Sequence, residues 1–385
     1  MNYVRDLYVK HFKERNSILD FLKVRSDKSI WLTAKVKDLN FNTLANGPMF
    51  INQNRLDLKL GECISEEAIE DTQKSGAINN SGGSQFGVVV DGRGYLLSDV
   101  ALNCVGTSLI GAISSFNKLS KAKQKDALDI FATASPEKHL KMFYSGEKIR
   151  AIQSSKYAPL DQYALACALF AKLDKEFGEE KINFIHGEYT HEQTNFGLLI
   201  DSVDILNDYK DACSIFDKES VAMDAKPYVL FNTSDSGNAA AKVRVGLTDG
   251  HIFVELGDAV SVEHLTGRTV KTFEDEMENI FIRYSHFLGK LEKLLSVEIK
   301  YPLTCLKNLL TSAGFADKYV NIGLERFNSV YDKSMYVSAH MLFFFAQEVL
   351  GDMKNDEVAD RTLVRVGENL MRSLNDNWAT YDKLA

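Results

Sequence analysis

The 385-residue chain carries 45 Lys and Arg against 53 Asp and Glu, a formal net charge of −8, with 45% apolar and 25% charged residues and five prolines. This is the composition of an ordered protein with a sizeable core divided into two or three units, and it excludes a disordered tail. The longest apolar run, Met341 to Ala346, is far short of the roughly 20 residues that cross a bilayer, and charges interrupt Met1 to Arg25, so neither a membrane span nor a signal peptide is expected.

Residues up to Arg25 place Val4, Leu7, Tyr8, Phe12, Ile18, Phe21 and Leu22 near helical spacing, which predicts an amphipathic helix, and a short strand is expected over Ile30 to Val36. GAINNSGG, Gly76 to Gly83, reads as a loop that leads into QFGVVV, DGRG and YLLSDV, a strand-turn-strand. Helices follow at about Asp99 to Phe116 and Ser120 to Ala134, and Ser135 with Pro136 is the signature of a further short helix start. KMFY, SGEK and IRAIQS predict a hairpin turning at Ser145 and Gly146. SSKYAPLD then delivers the chain into a helix from Gln162 to Phe177.

Between Lys181 and Leu265, five short strands (INFIHGEYT, NFGLLIDSV, PYVLFNT, KVRVGLT and HIFVEL) are broken by Gly, Asn, Asp and Ser, with a helix near Ile205 to Phe216. They predict an antiparallel sheet whose most elaborate loop is Asn232 to Asn238. From Thr269 the pattern is helical: Thr272 with Asp275 resembles a capping box ahead of a long apolar stripe, and helices are expected near Pro302 to Ala313, Asp317 to Asn328, Met335 to Leu350 and Glu357 to Leu374. The fold class is therefore α+β: a mixed region over 1–98, a central α+β domain with the antiparallel sheet over 99–267, and a helical region over 268–385.

Catalytic signatures are sparse. There is no GxGxxG opening a helix, no GxxxxGK[ST], no GxSxG elbow and no HExxH. His186 and His191, five apart beside Glu188 and Glu192, would point to opposite faces of a strand, so no metal and no cofactor are expected there. Ser234, Asp235 and Ser236 resemble pieces of a nucleophilic site, yet they are also what a sharp turn requires. An enzyme built around His186, His191, Asp235 and His251 is the least favoured class. Cys63, Cys104, Cys167, Cys213 and Cys305 are odd in number and widely separated, which predicts reduced thiols and a cytoplasmic setting.

The strongest functional pointer is local charge. From Lys118 to Lys156 nine bases face four acids, a balance of +5 in an acidic chain. Lys and Arg hold phosphates and aromatic rings stack on unpaired bases, which nominates Lys141, Tyr144, Lys148, Arg150, Lys156 and Tyr157 as a nucleic-acid-binding set. The competing reading is a solvated lysine-rich helix face.

Taken in order, YLLSDVALNCV, FYSGEKIRAIQSSKYAPLD, YVLFNTSDSGNAAAKVRVGL and VEHLTG resemble an uncharacterised domain family of phage and plasmid proteins. They span about Gly94 to Leu295. In that family the second segment reads as a basic residue, a short hairpin, Ser, a basic residue, Tyr and an acid, here Arg150, Ser155, Lys156, Tyr157 and Asp161. Ala158 and Pro159 stand where relatives are more basic. The resemblance implies a phage or mobile-element origin and a cytoplasmic location in a bacterial host, with no reaction to transfer.

The leading expectation is a non-enzymatic, nucleic-acid-associated protein of replication or recombination that binds single strands. The alternative is a structural or interaction protein with a phage or host protein as partner, such as an assembly component or an inhibitor of a host defence factor. No membrane partner is expected, and a homo-oligomer is compatible with the sequence.

Overall fold

The computed structural model describes residues 9–44, 85–90, 93–111, 113–145, 148–190, 193–201, 206–216, 225–237, 239–248, 253–255, 259–332, 336–356, 358 and 360–383. The predicted loop at Gly76 to Gly83 and the turn at Gly146 lie outside them.

Two sheets organise the chain. Sheet A has the order β1-β8-β9-β10-β11-β12, formed by Val9–Phe12, Ile182–Thr190, Thr194–Ile200, Lys226–Thr233, Ala241–Thr248 and Phe253–Glu255, and β13 (Val260–Val262) also pairs with β11. Every described pairing in it is antiparallel. Sheet B runs β2-β6-β7-β5-β4-β3, from Ser29–Lys35, His139–Ser145, Lys148–Ser154, Arg93–Leu97, Gln85–Val90 and Asn40–Leu44, with one parallel pairing between β5 and β7. The fold is α+β, with a central antiparallel sheet, flanking helices and a helical C-terminal part.

Alternation along the strands decides which faces are covered. In sheet A, Phe196 and Leu198 align with Phe231 and Val229, which align in turn with Val243 and Val245. This apolar face packs with α1 (Arg15–Lys28), α5 (Gln162–Phe177), α7 (Val270–Met277) and α8 (Ile280–Leu295) into one core. The same core continues through α6 (Asn207–Phe216), α9 (Pro302–Ala313), α10 (Asp317–Val330), α11 (Ala339–Asn355) and α12 (Asp360–Arg372). Sheet B has a core of its own, in which Phe41, Val88, Leu140, Met142 and Ile152 meet α2 (Asp99–Leu109), α3 (Ile113–Phe116) and α4 (Lys121–Ala134).

Local rules explain most boundaries. Asp161 caps α5 by accepting from the Ala164 N–H at 2.8 Å. Pro302 fills the first turn of α9, where no donor is missed, and Gly314 at φ +87° ends it. The long helix expected from Thr272 starts instead with Thr269 and Thr272 in a reciprocal capping box, and is interrupted at Glu278 and Asn279. Three other expectations are corrected. The N-terminal helix occupies Arg15–Lys28, because Val9–Phe12 is drawn out to pair with β8. Ser135 and Pro136 start no helix; the Pro136 carbonyl accepts from the Lys37 N–H at 3.0 Å, tying the turn to the chain after β2. The boundary drawn at 98/99 runs through sheet B, which takes β2 to β5 from one side and β6 and β7 from the other.

Candidate functional site

The two segments that sequence marked most strongly, SKYAPLD and NTSDSGN, meet where the sheets touch. After β7 the chain turns with the Tyr157 N–H on the Ser154 carbonyl at 3.0 Å. Tyr157 then bridges to Leu265, and the Ala158 N–H donates to the His264 carbonyl at 3.0 Å. These bonds tuck the Tyr157 side chain inward. Its ring lies parallel to the His264 ring at 4.9 Å and 5.1 Å from Trp31, which in turn stacks on Phe143 at 5.0 Å.

The β10–β11 loop closes over this stack. The Tyr157 hydroxyl lies 3.4 Å from the Ser234 carbonyl and 3.3 Å from that of Asp235, and Gln153 on β7 donates its side-chain N–H to the Ser236 carbonyl. Ser234 Oγ sits 2.8 Å from Ser236 Oγ and accepts from the Ser236 N–H at 3.2 Å, which makes the loop a compact turn. Gly237 is required twice: its φ is +78°, and a Cβ there would lie 2.6 Å from Gln153 Nε2. Cys104 Sγ, from α2, is 3.5 Å from Gln153 Nε2 and 3.9 Å from the Ser236 carbonyl.

Burial sets the protonation states. It raises the Asp235 carboxyl to about 7; Arg25 works against the rise and Asp161 adds to it. Burial, then the nearby Asp235 and Cys104, push the Tyr157 phenol well above its usual range. Burial lowers His264 against the pull of the Ala158 and Ala239 carbonyls, and its Nδ1 is 3.2 Å from the Ala158 oxygen. The joint therefore favours neutral side chains around one titratable carboxyl.

The nominated nucleic-acid set is not gathered on one exposed face. Arg150 is 3% exposed and Tyr157 6%. The physical reasons are that β7 is an interior strand of sheet B and that the following turn is pinned against residues 263–266. Lys141 is half-buried and spends its ammonium on the Tyr157 carbonyl at 2.6 Å. Tyr144 is half-buried, Lys156 is exposed, and the Lys148 side chain lies outside the described residues. His264, Gln153, Cys104 and Trp31 were not nominated; the only signal for them was the oddity of the two turns, since 77 residues separate Tyr157 from Ser234.

Of the conceivable enzyme pocket, His186 is exposed on β8, while His191 and His251 lie outside the described residues. Among the described residues no cluster of three His, Cys, Asp or Glu could hold a metal, and no helix is long and apolar enough to cross a membrane. Cys104, Cys167, Cys213 and Cys305 form no disulfide among the described residues. No protein-family model, curated protein or solved structure matches the chain. The resemblance to phage and plasmid proteins rests on the quoted segments alone.

Proposed function

We propose that this chain is a non-enzymatic interaction protein that docks a protein partner through the outer face of α4. The observation that carries the reading is that α4 leaves Ile130 65% exposed and Phe131 38% exposed, with Leu119 also 38% exposed just before the helix. Apolar side chains of this size gain from contact with another apolar surface, whereas phosphate needs none of them. The burial of Arg150 and Tyr157 supports the same choice, because it removes a cation and a ring from any polyanion face. The resemblance suggests the setting: an assembly component of a phage or mobile element, or an inhibitor of a host factor, in the bacterial cytoplasm.

The polynucleotide reading keeps one support, the exposed Lys118, Lys123 and Lys156. One comparison separates the two. Wild type and an Ile130→Lys, Phe131→Lys variant are used to capture partners from nuclease-treated host extract, and both are run on an immobilised single-stranded oligonucleotide. A protein held by wild type and released by the variant supports the proposal. Oligonucleotide retention that weakens with salt at a log–log slope of about 0.7 per phosphate, unchanged in the variant, overturns it.

A further inference from the structure

We propose that β2 is a dimerisation edge: two copies of this chain join through antiparallel pairing of Ser29–Lys35 with itself, centred on Leu32. This rests on the edge of sheet B and is independent of the partner assigned to α4 above.

β2 lies at the end of sheet B and pairs with β6 alone, without a register shift, from Ser29 opposite Ser145 to Lys35 opposite His139. The same register continues to Val36, whose N–H donates to the Lys138 carbonyl at 2.8 Å. Antiparallel pairing turns the backbone groups of alternate residues toward one neighbour, so Ala34, Leu32 and Ile30 share the direction of Val36 and face β6. Trp31, Thr33 and Lys35 therefore turn their N–H and C=O groups outward, and among the described residues these groups have no hydrogen-bond partner. Protected edges carry a proline, a bulge, a charge in mid-strand or very few residues. SIWLTAK has none of these over its seven residues; its one charge, Lys35, sits at the end and is engaged by Glu137 at 2.7 Å. The other edge strands are shorter: Val9–Phe12 has four residues, β3 five, and β12 and β13 three each.

Side chains decide what fits this edge. Ile30, Leu32 and Ala34 alternate onto the helix-covered face of sheet B, where Leu32 and Ala34 pack on the core while Ile30 remains 51% exposed. A second β2 centred on Leu32 sets Ile30 opposite Ala34 of the copy and Leu32 opposite itself. The large side chain meets the small one, and the apolar face runs on across the joint. On the other face Trp31 stands opposite Thr33 of the copy. This register matches outward backbone groups with outward ones, overlaps the whole strand and keeps the two Lys35 ammonium groups apart. It closes on a two-fold axis and leaves no further β2 edge to extend. An unrelated strand would satisfy the same backbone groups, but the large-to-small match and the closure belong to a second copy.

The test is the mass of the full chain by sedimentation velocity from about 1 μM to about 100 μM. Wild type should pass from monomer to dimer across that range. Thr33→Pro removes an outward N–H that β6 does not use, so it should hold the chain monomeric with its far-UV circular dichroism unchanged. Ile30→Lys should raise the dissociation midpoint at least about tenfold. Ile130→Lys with Phe131→Lys should leave the dimer intact, which separates this contact from the face of α4. Leu32→Cys should give a disulfide-linked dimer under mild oxidation where wild type gives none, because a residue opposite itself in a non-hydrogen-bonded pair has its Cα about 4.5 Å from the copy's. That readout decides if Thr33→Pro fails to fold. A wild type that stays monomeric throughout, or a dimer that survives a folded Thr33→Pro, overturns the proposal. So does a monomeric wild type that captures a different protein through β2.

Discussion

Replacing Tyr157 by Ala tests whether this ring is structure or platform. The ring is 6% exposed, stacks on His264 and lies tilted against Trp31. Truncating a buried aromatic costs about 3–5 kcal/mol, and each lost ring contact adds about 0.5–1.5 kcal/mol, partly recovered as Trp31 and His264 relax into the void. We expect a loss of about 4 kcal/mol for Tyr157→Ala. Tyr157→Phe should cost less than about 1 kcal/mol, because the hydroxyl contacts at 3.3 and 3.4 Å are long. Urea unfolding followed by tryptophan emission measures both. A ring standing in solvent as a base platform would change stability by no more than about 0.5 kcal/mol on truncation. That result for Tyr157→Ala would refute the inward placement and restore the stacking role.

Other outcomes follow from single sites. His340 is 2% exposed, its Nε2 lies 2.5 Å from the Tyr209 hydroxyl, and burial lowers it to about 4. The unfolded ring takes a proton near 6.5 and the folded one only near 4, so its stabilising contribution is full above 6.5 and is lost as pH falls through that window; urea midpoints should drop there in wild type and drop less in His340→Gln. Thr269→Ala removes the capping box of α7 and should cost about 1 kcal/mol by the same assay, with Thr269→Ser recovering most of it. Gly237→Ala should destabilise by more than about 1 kcal/mol, since it meets both a positive φ and Gln153; Gln153→Ala in the same chain should recover part of the loss, and strict additivity would contradict the close approach.

The sequence was most legible where one local rule acts alone. Pro302 and Gly314 bracket α9 as expected, IRAIQS and KMFY form their hairpin, and the alternating strands from Ile182 to Glu255 form the antiparallel sheet. It misled where a distant strand competed. Val9–Phe12 carries helical spacing, but pairing with Gly187–Thr190 satisfies backbone groups that a helix end would leave open. The nominated set is dispersed for a related reason: Arg150 and Tyr157 read as surface residues by type, and only the placement of β7 between β6 and β5 reveals that they turn inward.

Local charge is therefore a weaker guide than strand order in this chain. A balance of +5 between Lys118 and Lys156 invites a phosphate, but much of it is already engaged. Lys125 is 2.6 Å from Asp129, Lys141 donates to the Tyr157 carbonyl, Lys138 reaches the Ser108 carbonyl, and Glu137 is claimed at 2.7 Å by both Lys35 and Lys37. What those contacts build is attachment: Glu137 joins the turn before β6 to the end of β2, and Lys141 fixes the turn that carries Tyr157. The exposed ion pairs add little each, with no large electrostatic gain to be expected from them, whereas the Tyr157 stack and the Gln153 tie join sheets that otherwise have separate cores. Weakening that joint should leave each core's own cooperative unit intact while uncoupling the two. In Tyr157→Ala, hydrogen exchange should therefore rise first at residues 153–158 and 234–240, with Leu140 and Phe231 still protected; uniform loss of protection across both sheets would show instead that the two cores fold as one unit.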